Sequence, residues 1–132
     1  MCEHPIQVKE TVTVGKVSHL LLRYRIDGIL VVSKNNERKL AGIFTTTDLL
    51  RLIDSALSAG AHRIDHLRKL SRMPVGKFTN RKVIRLKKDT KITKAIALMH
   101  KKNVHTIPVY DGSKLVGIIG RHDLLNIALN YY

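Results

Sequence analysis

The sequence is poor in the residues that mark several specialised classes of protein. It has no tryptophan, aromatic residues make up 5% of it, and Cys2 is its single cysteine. A lone cysteine cannot form an internal disulfide, so we expect a reducing compartment and a cytoplasmic location. The scarcity of aromatic side chains leaves few platforms on which nucleic-acid bases could stack.

Long hydrophobic runs are also missing. The longest apolar stretches, such as GILVV at residues 28–32, are far shorter than the roughly 20 residues that cross a bilayer. The first ten residues, MCEHPIQVKE, lack the apolar centre of a signal peptide. We therefore expect no membrane partner. An apolar content of 44% excludes a disordered chain, and 132 residues are enough for one domain with a core.

Acidic residues are few compared with basic ones. The chain has 24 Lys and Arg residues against 10 Asp and Glu, a formal net charge of +14. Such an imbalance favours partners that carry phosphate or carboxylate groups: nucleotides, nucleic acid or an acidic protein surface. A basic surface that is merely solvated is the other interpretation, and the charge alone does not decide between them.

The chain carries one unit twice. KLAGIFTTTDLL at residues 39–50 and KLVGIIGRHDLL at residues 114–125 share seven of twelve letters. Upstream the copies align at an offset of 78 residues, with Val14 over Ile92 and Ile29 over Ile107. Downstream the offset is 75, because SKNNERKL is replaced by the shorter DGSKL. Insertions belong in turns, so the length difference itself predicts a hairpin there.

Each copy predicts the order strand, helix, strand, strand, helix. The residue patterns place these elements at 4–8, 13–24, 28–32, 40–44 and 46–57, and again at 82–86, 91–102, 106–110, 115–119 and 121–132. One unit alone could not bury its sheet face, so we expect an α/β (α+β) fold of two tandem β-α-β-β-α motifs packed with pseudo-twofold symmetry. The expected limits are 1–57 for motif 1, 58–78 for a basic connecting segment and 79–132 for motif 2.

These residues resemble the CBS motif, named after cystathionine β-synthase, and the two copies together resemble a CBS pair, or Bateman module. The most specific element is the string Gly-x-hydrophobic-Thr/Ser-x-x-Asp, which runs here from Gly42 to Asp48. The second copy keeps Gly117 and Asp123 but has Gly120 in place of the hydroxyl residue. TIPVYD matches the Pro-Val strand of the family. A short stretch that usually precedes the first motif is absent before Met1, which suggests a fragment or a shortened form.

The resemblance implies a regulatory module rather than an enzyme. CBS pairs are similar to one another in binding adenosine-containing ligands, such as AMP, ADP, ATP or S-adenosylmethionine, in the clefts between the motifs. They control an attached domain or a partner protein, here unknown, and form dimers through their helices, so we expect a homodimer. No catalytic residue, required cofactor or metal is implied.

The resemblance also implies roles for individual residues. Asp48 and Asp123 would accept hydrogen bonds from both ribose hydroxyls, although an acid in the first turn of a helix is also a common capping residue. The phosphates would contact Thr45, His105, Arg121 and His122, for which a turn role or simple solvation is the alternative. The adenine pocket would be formed by Ile29, Leu30, Ile107 and Pro108, which also suit a core.

Two other functions stay open. Residues 60–72 and 81–91 are basic and contain no aromatic side chain, so any binding of nucleic acid would be electrostatic, weak and sensitive to salt. A basic nucleic-acid-binding module and a pure dimerisation module with empty clefts are therefore the alternatives. His62 and His66 stand four apart, as zinc ligands do, but no third ligand is evident and we expect no metal.

Overall fold

The computed structural model describes residues 7–131, without the side chains of Arg38 and Tyr131. The predictions that concern Cys2, the start of the first strand at residues 4–6 and the last helical residue, 132, lie outside the described residues. The contacts divide the chain into a first unit that ends at Lys82 and a second unit that begins at Val83. Among the described residues, no helix has the length and apolar character to cross a membrane.

The first unit contains a three-stranded sheet and three helices. Its elements are β1 (Gln7–Lys9), α1 (Val14–Arg23), β2 (Gly28–Ser33), β3 (Asn36–Thr45), α2 (Thr46–Leu57) and α3 (Arg63–Ser71). Strand β2 is central, parallel to β1 and antiparallel to β3. Short 3-10 turns at Gly60–His62 and Val75–Lys77 flank α3. The basic connecting segment predicted at residues 58–78 thus contains a helix, α3.

The second unit repeats this plan. Its elements are β4 (Leu86–Lys87), α4 (Ile92–Lys102), β5 (Thr106–Asp111), β6 (Lys114–Gly120) and α5 (Arg121–Tyr131). Strand β5 is central, parallel to β4 and antiparallel to β6. The mixed α/β class and the β-α-β-β-α order of each copy are confirmed. The predicted hairpins are confirmed as well, because the length difference between the copies falls in the β2–β3 and β5–β6 segments.

The helices form where apolar residues recur every three or four positions. Val14, Val17 and Leu21 are all buried, as their spacing in α1 predicted, and the Thr13 hydroxyl oxygen accepts from the Lys16 N–H at 3.3 Å to cap that helix. Met99 is buried in α4, whereas Ile92 and Ile96 are only partly buried. Each unit therefore has its own hydrophobic core beneath its sheet.

The repeat extends to backbone conformation. Arg25 (φ 51°) and Asn103 (φ 50°) both adopt the left-handed conformation in the turn that leads from helix to central strand. Gly42 meets the returning chain at Asn80, with which its neighbour Ile43 exchanges two backbone hydrogen bonds of 3.0 Å. A Cβ at Gly42 would lie 2.6 Å from Thr79 Cγ2, closer than side chains approach one another. Only glycine therefore fits this position.

Candidate functional site

The turn between β3 and α2 holds the first pair of predicted ligand residues. Thr45 ends the strand in an extended conformation (φ −117°, ψ 166°) and caps α2. Its hydroxyl oxygen accepts from the Asp48 N–H at 3.2 Å, while Asp48 Oδ2 accepts from the Thr45 N–H and the Thr45 hydroxyl, both at 2.9 Å. This reciprocal capping box fixes the carboxylate at the start of the helix.

The second oxygen of Asp48 is less tightly held. Oδ1 lies 3.6 Å from Nη1 of Arg51, whose side chain is 73% exposed, whereas that of Asp48 is 18% exposed. An ion pair with so exposed a guanidinium contributes little and exchanges readily. The carboxylate is thus oriented through Oδ2, whereas Oδ1 contacts an exposed guanidinium that a ligand could displace.

The turn between β6 and α5 repeats this geometry without the hydroxyl. Asp123 Oδ2 accepts from the Gly120 N–H at 2.9 Å, the counterpart of the bond between Thr45 and Asp48. A Cβ at Gly120 would lie 3.5 Å from Asp123 Oδ2, an ordinary contact, so the space for a side chain exists but is not used. Asn126 stands where the first unit has Arg51.

Each helix start is tied to the residue that precedes the central strand. The Thr46 N–H donates to the Asp27 carbonyl at 2.8 Å, and the Arg121 N–H donates to the His105 carbonyl at 2.9 Å. Asp27 and His105 are therefore equivalent, one acidic and one basic, each beside a capping carboxylate. Asp27 was not among the predicted site residues, although the 78-residue offset aligns it with His105.

Two predicted phosphate residues share a concavity in the second unit. Both residues line it: His105 lies directly before β5, and Arg121 begins α5. The volume of the concavity is about 300 Å³. The remaining lining residues are mostly apolar: Ile96, Met99, His100, Asn103, Val104, Leu124, Leu125 and Ala128. His122, the other predicted phosphate residue, is exposed in the first turn of α5. The structure thus brings basic and apolar groups together in one concavity of the second unit.

The four predicted adenine-pocket residues lie at the starts of the central strands. Ile29, Leu30, Ile107 and Pro108 are all fully buried. Ile29 and Ile107 belong to the two hydrophobic cores, so core packing accounts for them. Leu30 and Pro108 follow them in the strands and therefore face the other side of each sheet.

The paired histidines do not gather further metal ligands. His62 ends a 3-10 turn and His66 lies in α3. No group of three or more His, Cys, Asp or Glu side chains within residues 7–131 could hold a metal ion.

A family model for the CBS domain matches residues 1–55 and 65–130. The chain is 25% identical over 126 residues to uncharacterized protein MJ0450 of Methanocaldococcus jannaschii, covering 94% of this chain and 61% of that protein. Two further uncharacterized proteins of that organism match over 33% and 38% of their lengths. The chain thus spans less than two thirds of each of these relatives.

Solved structures with CBS domains share the fold. MJ1225 of Methanocaldococcus jannaschii, proposed to be an archaeal homologue of g-AMPK, has a TM-score of 0.82 at 24% identity over 97% of this chain and 45% of that one. CBSX2 in complex with AMP has a TM-score of 0.74 at 24% identity over 96% of this chain and 88% of that one. At these identities the likeness establishes the fold.

Proposed function

Because the chain belongs to the CBS-domain family and carries two such domains, we propose that it is a regulatory module that binds an adenine nucleotide and controls an attached domain or a partner protein. One observation carries this proposal: in both units a carboxylate is held by backbone at the start of a helix, directly after a strand. Since the matched segments are CBS domains, the role we propose is regulatory rather than catalytic.

The two carboxylates suit the ribose. Adjacent ribose hydroxyls need one acceptor that is oriented and accessible, and Asp48 and Asp123 are each oriented by a 2.9 Å bond to Oδ2. The positive end of the helix dipole at the same place favours phosphate groups nearby. The AMP bound to CBSX2 supports an adenine nucleotide as the ligand class. AMP, ADP, ATP and S-adenosylmethionine are all candidates, and no further cofactor is proposed.

The phosphate and base contacts are assigned on the same pattern. We assign phosphate contacts to His105, Arg121 and His122 in the second unit. Thr45 is the counterpart in the first unit, where its hydroxyl would have to release Asp48 to donate to a ligand. The base would rest against the starts of the central strands, at Ile29-Leu30 and Ile107-Pro108, where backbone groups can read its edge.

Calorimetry with AMP, ADP, ATP and S-adenosylmethionine tests the proposal on the wild type, Asp48→Asn and Asp123→Asn. Asparagine retains an acceptor for the capping N–H but loses the charge that strengthens bonds from ribose hydroxyls, so we expect at least about a tenfold loss of affinity per substituted site. Asp54→Asn, in the middle of α2 and exposed, is the matched control. If both site variants bind every ligand as the wild type does, neither carboxylate is a ribose ligand.

Homodimerisation in the cytoplasm is part of the same proposal. Large apolar side chains are exposed on helices of both units: Leu22, Leu50, Leu57, Leu125 and Leu129. Burying them against a second copy would remove apolar surface from water. Light scattering on the wild type and Leu50→Lys, with Arg51→Lys as control, tests this. A monomeric wild type would contradict it.

A further inference from the structure

Helix α3 lies outside both β-α-β-β-α motifs and has no role in the nucleotide proposal. None of its nine residues is buried, and it packs on the first unit through the partly buried Leu70. Its outer side borders a concavity of about 480 Å³ lined by Asp65, Arg68, Lys69, Arg72 and Met73. Three of these five side chains are cationic and one is anionic.

The three cations of this concavity are not neutralised by the protein. Among the described residues, Lys9, Arg51 and Arg81 form ion pairs with carboxylates, whereas Arg68, Lys69 and Arg72 form none. Asp65 lies three and four positions before Arg68 and Lys69, a spacing that permits ion pairs, yet no described carboxylate comes within 4 Å of either. Charged groups so arranged attract an anion from outside.

We propose that this concavity, defined by Arg68, Lys69 and Arg72, binds the phosphate backbone of nucleic acid without regard to sequence. Arg68 lies in the last turn of α3 and Arg72 caps the C-terminus of that helix, and their guanidinium groups can each clamp a phosphate with two hydrogen bonds. Lys69 supplies a point charge between them. The spread of the three charges along a helix suits a row of phosphates better than a single one.

The surroundings of α3 favour a long polyanion that is bound through charge alone. Residues 60–73 contain no Phe, Tyr or Trp, so bases have no large aromatic side chain to stack on there. Residues 6–82 carry 15 Lys and Arg against six Asp and Glu, so the field around the first unit is positive over a wide area. An extended phosphate chain places more charges within that field than a small anion does and therefore gains more from it.

The test is fluorescence anisotropy of a short labelled DNA duplex over a series of salt concentrations. The variant Arg68→Gln/Lys69→Gln/Arg72→Gln removes the proposed contacts, and Lys87→Gln/Lys88→Gln/Lys91→Gln removes the same charge from exposed positions of the second unit. Each lost phosphate contact reduces the magnitude of the slope of log K against log salt by about 0.9. The slope of the α3 variant should therefore be smaller than that of the wild type by about 2.7, and the slope of the control variant should be smaller by less than about one.

Several results would overturn the proposal. Equal losses in the two triple variants would mean that net charge, not α3, governs binding. Binding to vesicles of anionic lipid but not to the duplex would assign the surface to membranes instead. A wild type that does not bind the duplex at low salt would refute it outright. Thermal unfolding checks that both variants fold, and unchanged calorimetric binding of AMP by the α3 variant would separate this surface from the nucleotide proposal.

Discussion

Replacing Asp48 by alanine should destabilise the protein more than replacing Asp123, although both residues occupy the same place in the repeat. Asp48 Oδ2 accepts two hydrogen bonds from Thr45, one from the backbone and one from the hydroxyl, each 2.9 Å long. Asp123 Oδ2 accepts one, from the Gly120 N–H. The difference between the variants therefore measures the hydroxyl that only the first copy possesses.

The magnitudes follow from these bonds. A hydrogen bond to a charged group contributes about 1.5–3 kcal/mol, and partial exposure places both carboxylates at the low end, so Asp123→Ala should cost about 1.5 kcal/mol. A second bond to the same oxygen, from an exchangeable and partly exposed hydroxyl, adds about 1 kcal/mol, which gives about 2.5 kcal/mol for Asp48→Ala. The ion pair with Arg51 adds little because that side chain is exposed. At roughly 4 °C per kcal/mol, Asp48→Ala should melt about 10 °C below the wild type.

Urea unfolding followed by circular dichroism would measure these losses. Asp54→Ala is the control, because Asp54 lies in α2 beyond its first turn and alanine suits a helix interior. Asp48→Asn should retain much of the stability, since its amide oxygen can accept the Thr45 N–H. If Asp48→Ala is as stable as Asp54→Ala, the carboxylate does not cap α2, and the orientation on which ribose binding depends is wrong.

Three further predictions concern the scaffold. Gly42→Ala should lower the free energy of unfolding in urea by about 1–3 kcal/mol, because a methyl group forces Asn80 away from β3. Gly120→Ala should lower it by less than about 1 kcal/mol, because a methyl group there makes only ordinary contacts. Arg25→Asn, which copies Asn103, should raise the melting temperature by a few degrees, because asparagine tolerates positive φ; an unchanged or lower value would contradict this. Burial raises the pKa of Tyr110 above 10.0, while the charge of Arg85 lowers it. Arg85→Gln should therefore raise the Tyr110 pKa further, as measured by ultraviolet titration with Tyr110→Phe as the blank. Because the tyrosine holds its proton more tightly in the folded state, the free energy of unfolding should fall as pH rises above 10.

Local patterns in the sequence were sufficient to predict the fold. The helical spacing of Val14, Val17 and Leu21 and the β-branched run at residues 28–32 each involve neighbouring positions, and such periodicities report directly which face is buried. The repeat then supplied an independent check, since every element had to appear twice. The three-residue length difference between the copies located the hairpins, because insertions occur in turns.

The site was less accessible to sequence reasoning because its decisive contacts join distant positions. The bond from the Thr46 N–H to the Asp27 carbonyl spans 19 residues, and no local pattern marks Asp27 as a neighbour of Asp48. A turn role for Thr45 was foreseen as the alternative to phosphate binding, whereas its hydrogen bonds with Asp48 required coordinates. The concavity beside α3 likewise includes Met73, which lies beyond the end of that helix.

The two copies differ most at the helix start, where TTT at residues 45–47 is replaced by GRH at residues 120–122, and the difference is one of charge. In the first unit the acidic Asp27 lies beside the helix start, and the Thr45 hydroxyl is directed at Asp48. In the second unit His105 takes the place of Asp27, and Arg121 opens the helix. A carboxylate repels additional phosphates, whereas a guanidinium attracts them. We therefore expect the second unit to favour ATP and ADP over AMP and to lose that preference as salt rises, while the first unit favours the ligand with the least negative charge.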